Sequence, residues 1–213
     1  MKFNLNQIYI AVEGATGSGK NQLAKKLSEK LSANLINDKG YFQNPFLADF
    51  YQNPEKFALP LQLFFLTMRY QQQVEIPFGD LFRNNIVANY IFNKDQIYAS
   101  YNLDDKNFTL YNQILKVMNP NIHTPDLVIY LHAPDPAMLF DNIRKRKRVF
   151  EKEINEAYIE GLNKGYIYFF DHFRECPLLI VNIDGLNPDN KEHIKLILKE
   201  IENGIDDSKY LKI

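Results

Sequence analysis

Short continuous apolar runs alternate along the chain with stretches in which apolar residues recur every three or four positions. The runs Ile8-Tyr9-Ile10-Ala11-Val12, Leu35-Ile36, Ile86-Val87-Ala88, Asp126-Leu127-Val128-Ile129-Tyr130-Leu131 and Leu178-Leu179-Ile180-Val181 predict five strands, and their unbroken character suits strands buried on both faces. Leu23, Leu27 and Leu31 fall on one helical stripe. Asn44-Pro45-Phe46-Leu47 opens a helix near Tyr51, and Asn53-Pro54-Glu55 starts another that runs to about Val74, since proline suits a first helical turn. Further helices are predicted at Lys94–Ala99, Asp104–Met118, from Pro136 into the basic run, Glu153–Phe173 and Lys191–Ile201. Within Glu153–Phe173, Tyr158, Leu162, Tyr166, Phe169 and Phe173 form a stripe that reads as core. Strands alternating with helices predict an α/β fold, a doubly wound five-stranded parallel sheet with ligands beyond the strands' C-terminal ends.

Between the first strand and the first helix lies Gly14-Ala15-Thr16-Gly17-Ser18-Gly19-Lys20-Asn21. Gly14, Gly19 and Lys20 have the spacing of a Walker A phosphate loop, in the strand-to-helix setting that motif requires. Such a loop turns backbone N–H groups inward, and the helix N-terminus adds positive partial charge where a polyphosphate would lie. Lys20 reaches the outer phosphates. Asn21 stands where a Ser or Thr hydroxyl normally binds magnesium.

Composition narrows the picture without redirecting it. At 213 residues and net charge −1, the chain is expected to form one domain, residues 1–213, with no global pull toward nucleic acid or membrane. No apolar run reaches the roughly 18 residues of a membrane span, and Met1 to Asn6 has no signal-peptide pattern. The single Cys176 excludes an internal disulfide and suits a reducing, cytoplasmic setting. The scattered His123, His132, His172 and His193 give no zinc spacing.

From about Ile8 to Val181 the chain resembles the deoxynucleoside kinase family. The loop carries the resemblance together with Asn44-Pro45-Phe46-Leu47, Phe50-Tyr51, Asn53-Pro54-Glu55, Leu61-Gln62-Leu63-Phe64-Phe65, Tyr90-Ile91-Phe92, Pro125 to Leu131, and Arg146-Lys147-Arg148-Val149-Phe150-Glu151. It implies that Gln62, Arg69 and Asp95 hold the base, and that Tyr51 and Glu151 hold the sugar 3′-hydroxyl. The residue types agree: Gln62 and Arg69 lie two helical turns apart and share a face. An Arg–Asp pair supplies a donor and an acceptor, favouring a base with an exocyclic amine over thymine. Taken singly, Arg69 also reads as a surface cation and Asp95 as a helix cap.

In the basic run Arg144 to Arg148, an unbroken helix puts Arg144 and Arg148 on one face and turns Arg146 away. If the helix ends near Arg146, then Arg146 and Arg148 close over the phosphates as a lid (about residues 144–151). The run also reads as a solvated helix end opposing the macrodipole. Relatives usually have Gly where Lys147 stands.

The departures fall on the metal side. Relatives carry a general-base glutamate after the second strand, where Asp38-Lys39-Gly40 leaves only Asp38 to substitute. They carry an acidic residue and commonly Arg after the third strand, where this chain has Asn89-Tyr90, and an arginine that aligns with Asn142. The expected activity is ATP-dependent phosphorylation of a deoxynucleoside 5′-hydroxyl in nucleotide salvage. ATP and Mg2+ are the expected cofactors, with Asn21 at most a weak metal ligand. Lys20, Arg146, Arg148 and Asp38 are the catalytic candidates, and a homodimer, or a heterodimer with a paralogue, is the expected assembly. A non-catalytic nucleotide-binding paralogue and a nucleoside monophosphate kinase are the alternatives.

Overall fold

The strand that delivers the phosphate loop, β1 (Tyr9–Glu13), is buried at every position and lies at the middle of a sheet ordered β2-β3-β1-β4-β5-β6. The computed structural model describes residues 3–4, 7–38, 44–76, 85–119, 122–148, 151 and 154–213. The other strands are β2 (Asn34–Ile36), β3 (Ile86–Ala88), β4 (Leu127–His132), β5 (Leu178–Asn182) and β6 (Ser208–Leu211), and every pairing is parallel. Asp126 stands outside β4 and ties it to its neighbour, its Oδ2 accepting from the Tyr9 amide at 2.8 Å.

The sheet has six strands where the apolar runs predict five. Ser208-Lys209-Tyr210-Leu211 pairs only with β5, at the sheet's edge, and three of its four residues are exposed. An edge strand with a solvated face carries no apolar run, so the hydrophobic pattern is blind to it.

Among the described residues eight helices flank the sheet: α1 (Lys20–Lys30), α2 (Leu47–Gln52), α3 (Pro54–Val74), α4 (Lys94–Asn102), α5 (Asp105–Met118), α6 (Pro136–Lys145), α7 (Glu156–Asp171) and α8 (Lys191–Asn203). Starts obey local chemistry. Asn53, Asp104, Asp135, Asn155 and Asn190 each accept a backbone N–H from the first turn that follows, satisfying a donor the helix cannot. Pro54 and Pro136 occupy first turns, as the sequence predicts. Lys39 and Gly40 of the expected turn, Val149 and Phe150 of the lid, and Glu153 at the expected start of α7 lie outside the described residues.

The main core joins β1, β4 and β5 to α1, α6, α7 and α8, with Ile10, Leu23, Leu27, Leu127 and Ile197 inaccessible to solvent. Of the α7 stripe, Tyr166 is core, stacked in line with Phe170. Leu162 and Phe173 are buried too and Tyr158 and Phe169 pack against the core, while Tyr158 and Leu162 also line a pocket. A Cβ on Gly161 would overlap the Tyr101 ring, so glycine lets α4 approach α7 closely beside that pocket.

Candidate active site

The loop between β1 and α1 is shaped by two left-handed glycines, Gly17 at φ 96° and Gly19 at φ 87°. A Cβ on Gly17 would also run into the backbone carbonyl of Leu139 in α6. Here only glycine fits, for conformation and for space. Asn142, one turn along α6, donates through Nδ2 to the Gly17 carbonyl at 3.0 Å, so the residue aligned with a family arginine braces the loop instead.

Beneath the loop lies Glu13, fully buried. Its Oε1 accepts from the Gly14 amide at 2.8 Å and from the Tyr166 hydroxyl at 3.3 Å, and its Oε2 from the Ile91 amide at 3.1 Å. Lys20 Nζ lies 3.0 Å from the same carboxylate and donates to the Gly14 carbonyl at 2.6 Å. Burial lowers the Lys20 pKa to about 8, with Glu13 opposing the drop. Sequence reasoning missed Glu13; its signal was an acidic residue ending an apolar strand directly before the motif. The cavity above is lined by the loop from Ala15 to Asn21 with Asp38, Lys94, Arg146, Arg148 and Glu151. Ser18 Oγ is buried there without a hydrogen-bond partner. A helix N-terminus, a lysine and two arginines around this cavity fit the phosphates of a nucleotide.

A second pocket adjoins the first, and Thr16 and Lys94 line both. Its walls are α2, α3, α4 and α7, and it brings together Tyr51, Gln62, Arg69 and Asp95 as the sequence predicts. Phe50, Phe65, Tyr98 and Tyr158 supply flat apolar surface. Glu151 is in the loop cavity, 3.4 Å from Arg148, and does not line this pocket. Four buried atoms among its lining side chains have no hydrogen-bond partner: Gln62 Oε1, Arg69 Nε, Asp95 Oδ2 and Asn102 Nδ2. Buried polar atoms are normally satisfied, so this set stands out in the pocket wall.

Arg69 is neither exposed nor solitary. It is 2% accessible, and its guanidinium bridges Asp95 through Nη1 and Asp38 through Nη2, the latter at 2.6 Å. Asp95 is therefore an ion-pair partner and not a cap; Asn93 holds the cap position of α4 without a side-chain bond. Asp38 Oδ2 also accepts from Lys94 Nζ at 2.8 Å. Burial alone would raise the Asp38 pKa, but Arg69 and Lys94 overcome it and hold the carboxyl well below the usual range. A carboxylate so stabilised is a poor proton acceptor. Asp95 moves the other way, burial outweighing the pull of Arg69.

On the metal side stand three amides. Asn89 Nδ2 donates to Asn21 Oδ1 and to Asn37 Oδ1, each at 3.1 Å, and Asn89 Oδ1 accepts from the Asp38 amide at 2.7 Å. These neutral groups satisfy one another, the nearby carboxylate is engaged by two cations, and no group of three His, Cys, Asp or Glu among the described residues is arranged to hold a metal. The donors do not fit a protein-held magnesium.

The basic run contains the end of its helix. α6 stops at Lys145, and Lys147 turns the chain at φ 53°, the left-handed region. Arg146 and Arg148 then line the same cavity.

Comparison with known proteins agrees with this geometry. The deoxynucleoside kinase family model matches residues 10–206. The chain belongs to the deoxynucleoside kinase family. It is 32% identical to a deoxyguanosine kinase of Bacillus subtilis (strain 168) over 202 residues, covering 91% of this chain and 97% of that protein. It is 30% identical to a deoxyadenosine kinase of Dictyostelium discoideum over 189 residues, 85% and 74% of the two chains. Among solved structures it superposes on deoxyadenosine kinase from M. mycoides with bound dCTP at a TM-score of 0.77 and 26% identity, covering 92% of this chain and all of that one. The same enzyme with bound dATP gives 0.77 and 28%, over 90% and 98%. The protein is thus an ATP-dependent deoxynucleoside kinase of nucleotide salvage. No described helix is long and apolar enough to cross a membrane.

Proposed function

We propose that this kinase binds its deoxynucleoside in the pocket walled by α2, α3, α4 and α7, with the 5′-hydroxyl directed at the loop cavity. It prefers a base that carries an exocyclic amine. The observation that supports this is the set of unsatisfied buried atoms, with Gln62 Oε1, Arg69 Nε and Asp95 Oδ2 among them, in a largely apolar pocket that shares Thr16 and Lys94 with the phosphate-loop cavity. Two acceptors, Gln62 Oε1 and Asp95 Oδ2, suit an amine and its ring neighbour, and Arg69 Nε suits a ring nitrogen or carbonyl. Tyr51 faces the sugar, and Glu151 approaches it from the lid side when Arg146 and Arg148 close.

Lys20, the loop amides and the two lid arginines bind the triphosphate and orient its terminal phosphorus. Phosphoryl transfer is governed by positioning and charge stabilisation, so a weak base slows it without abolishing it. Asp38 acts chiefly by fixing Arg69 and Lys94. Magnesium arrives with ATP, held by the phosphates. The deciding experiment is a phosphate-transfer assay across the four deoxynucleosides with magnesium varied. Transfer to deoxyadenosine, deoxyguanosine or deoxycytidine well above thymidine supports the reading, and a thymidine preference overturns it.

The protein works in the cytoplasm as a dimer formed through helix faces. The exposed Val74 on α3 and the exposed Leu110 and Val117 on α5 support that assembly.

A further inference from the structure

One charged side chain lines both the loop cavity and the adjoining pocket. Lys94 begins α4, is 9% exposed, and lines both cavities at their junction. Its ammonium has three N–H donors, and its hydrogen bond among the described residues goes to Asp38 Oδ2 at 2.8 Å. Its ammonium also lies 5.7 Å from the centre of the Tyr98 ring, a contact that uses no hydrogen bond. Two of the three donors thus have no hydrogen-bond partner among the described residues, on a side chain that lines both cavities. Asp38 is itself fixed by Arg69 at 2.6 Å, so the ammonium is held from behind by an anchored carboxylate and would give up a buried ion pair on swinging out to solvent. Burial would lower the Lys94 pKa, but Asp38 keeps it raised, and the group stays charged.

A buried, oriented, permanently charged ammonium with unused donors asks for oxygen acceptors of negative charge. The group that crosses this junction during turnover is the phosphoryl group. We infer that Lys94 is a further catalytic residue, one that contacts the transferring phosphoryl oxygens and afterwards the 5′-phosphate of the product. The inference rests on the kinase reading of the two cavities. In the step it serves, a bond forms from the deoxynucleoside 5′-oxygen to the γ-phosphorus of ATP. The bond from that phosphorus to the β–γ bridging oxygen breaks, its electron pair leaving with ADP, and the hydroxyl proton passes to solvent water. Lys94 changes none of these bonds. Its fixed positive charge lowers the cost of negative charge on the oxygens in passage, at a site where Asn21, Asn37 and Asn89 offer only neutral amides.

The test separates contact with phosphate from support of the base pocket. Binding of deoxyadenosine and deoxyguanosine, and of dAMP and dGMP, is measured by calorimetry on the full chain and on K94Q and K94R. In K94Q the monophosphates lose about 10- to 100-fold in affinity, the span of one charge-assisted hydrogen bond. The nucleosides change less than about threefold, and K94R keeps an intermediate monophosphate affinity. The kcat of K94Q falls at least as far as its monophosphate affinity while nucleoside KM holds. Equal weakening of nucleoside and monophosphate, or no change in either, overturns the proposal, because Lys94 then serves only Asp38 and Arg69. The double variant D38N/K94M, which leaves no buried charge unbalanced, covers the case in which K94Q fails to fold; return of monophosphate selectivity in it also overturns the proposal. If the unaltered protein transfers no phosphate, the kinase reading fails by itself, and the affinity comparison still decides the role of Lys94.

Discussion

Asn89 donates through Nδ2 to Asn21 Oδ1 at 3.1 Å, which closes the mouth of the loop on its metal side with a bond between two neutral amides. The pair explains how the chain keeps its shape without the ligands the sequence lacks. N21T/N89D should replace that bond with a hydroxyl and a carboxylate able to hold a hard cation. The expected result is a rise in kcat/KM of about tenfold or more, with a magnesium dependence steeper than in the unaltered protein. Unchanged magnesium titrations would remove the amides from blame.

Arg69 balances two buried carboxylates, so R69M leaves Asp95 without its partner and Asp38 with Lys94 alone. Breaking a buried pair from one side costs about 3–5 kcal/mol, which in a chain of this size lowers Tm by about 10 °C. The thermal shift given by deoxynucleosides should vanish with it. A variant that keeps its nucleoside response would show that the base is read elsewhere.

Lys147 takes φ 53° just past the end of α6, a conformation that costs a side chain with a Cβ and costs glycine little. K147G should raise stability by about 0.5–1 kcal/mol, while K147A, which keeps the Cβ, should not. Denaturant midpoints of the three proteins compare them directly.

Lys20 has its pKa lowered to about 8 by burial. Below pH 8 both native and unfolded chains hold this proton. From pH 8 towards the unfolded value of about 10.4 the unfolded chain holds it more tightly, so the stability of the nucleotide-free protein rises with pH across that window. A bound triphosphate favours the ammonium and draws the proton back. ATP binding at pH 8.5 should therefore take up between about half a proton and one, read from calorimetry in two buffers of different ionisation enthalpy. Proton release would contradict the assigned contact.

Where fold and site follow from local rules, the chain announces them. Glycine spacing marks the loop, Asn53-Pro54 opens α3, and the buried runs mark five strands. Gln62, Arg69, Asp95 and Tyr51 were legible as a set because helix periodicity and family resemblance point the same way. What escaped depends on distant partners. Nothing near Asp38 foretells that residues 69 and 94 converge on it, and a short aspartate beside a loop reads as a candidate base until those cations are seen to pin it. That Glu151 lies beside Arg148 in the loop cavity depends on how the chain leaves α6, which spacing alone does not set. β6 was silent because an exposed edge needs no apolar signature.

Glu13 gives the phosphate loop a resident counterion. With Lys20 already 3.0 Å from that carboxylate, a singly charged visitor such as chloride or a lone carboxylate gains little by displacing it. Only a ligand bearing several charges, touching Lys20, the amides and both lid arginines together, can repay the disruption. The buried acid thereby sets a threshold that favours anions of higher valence.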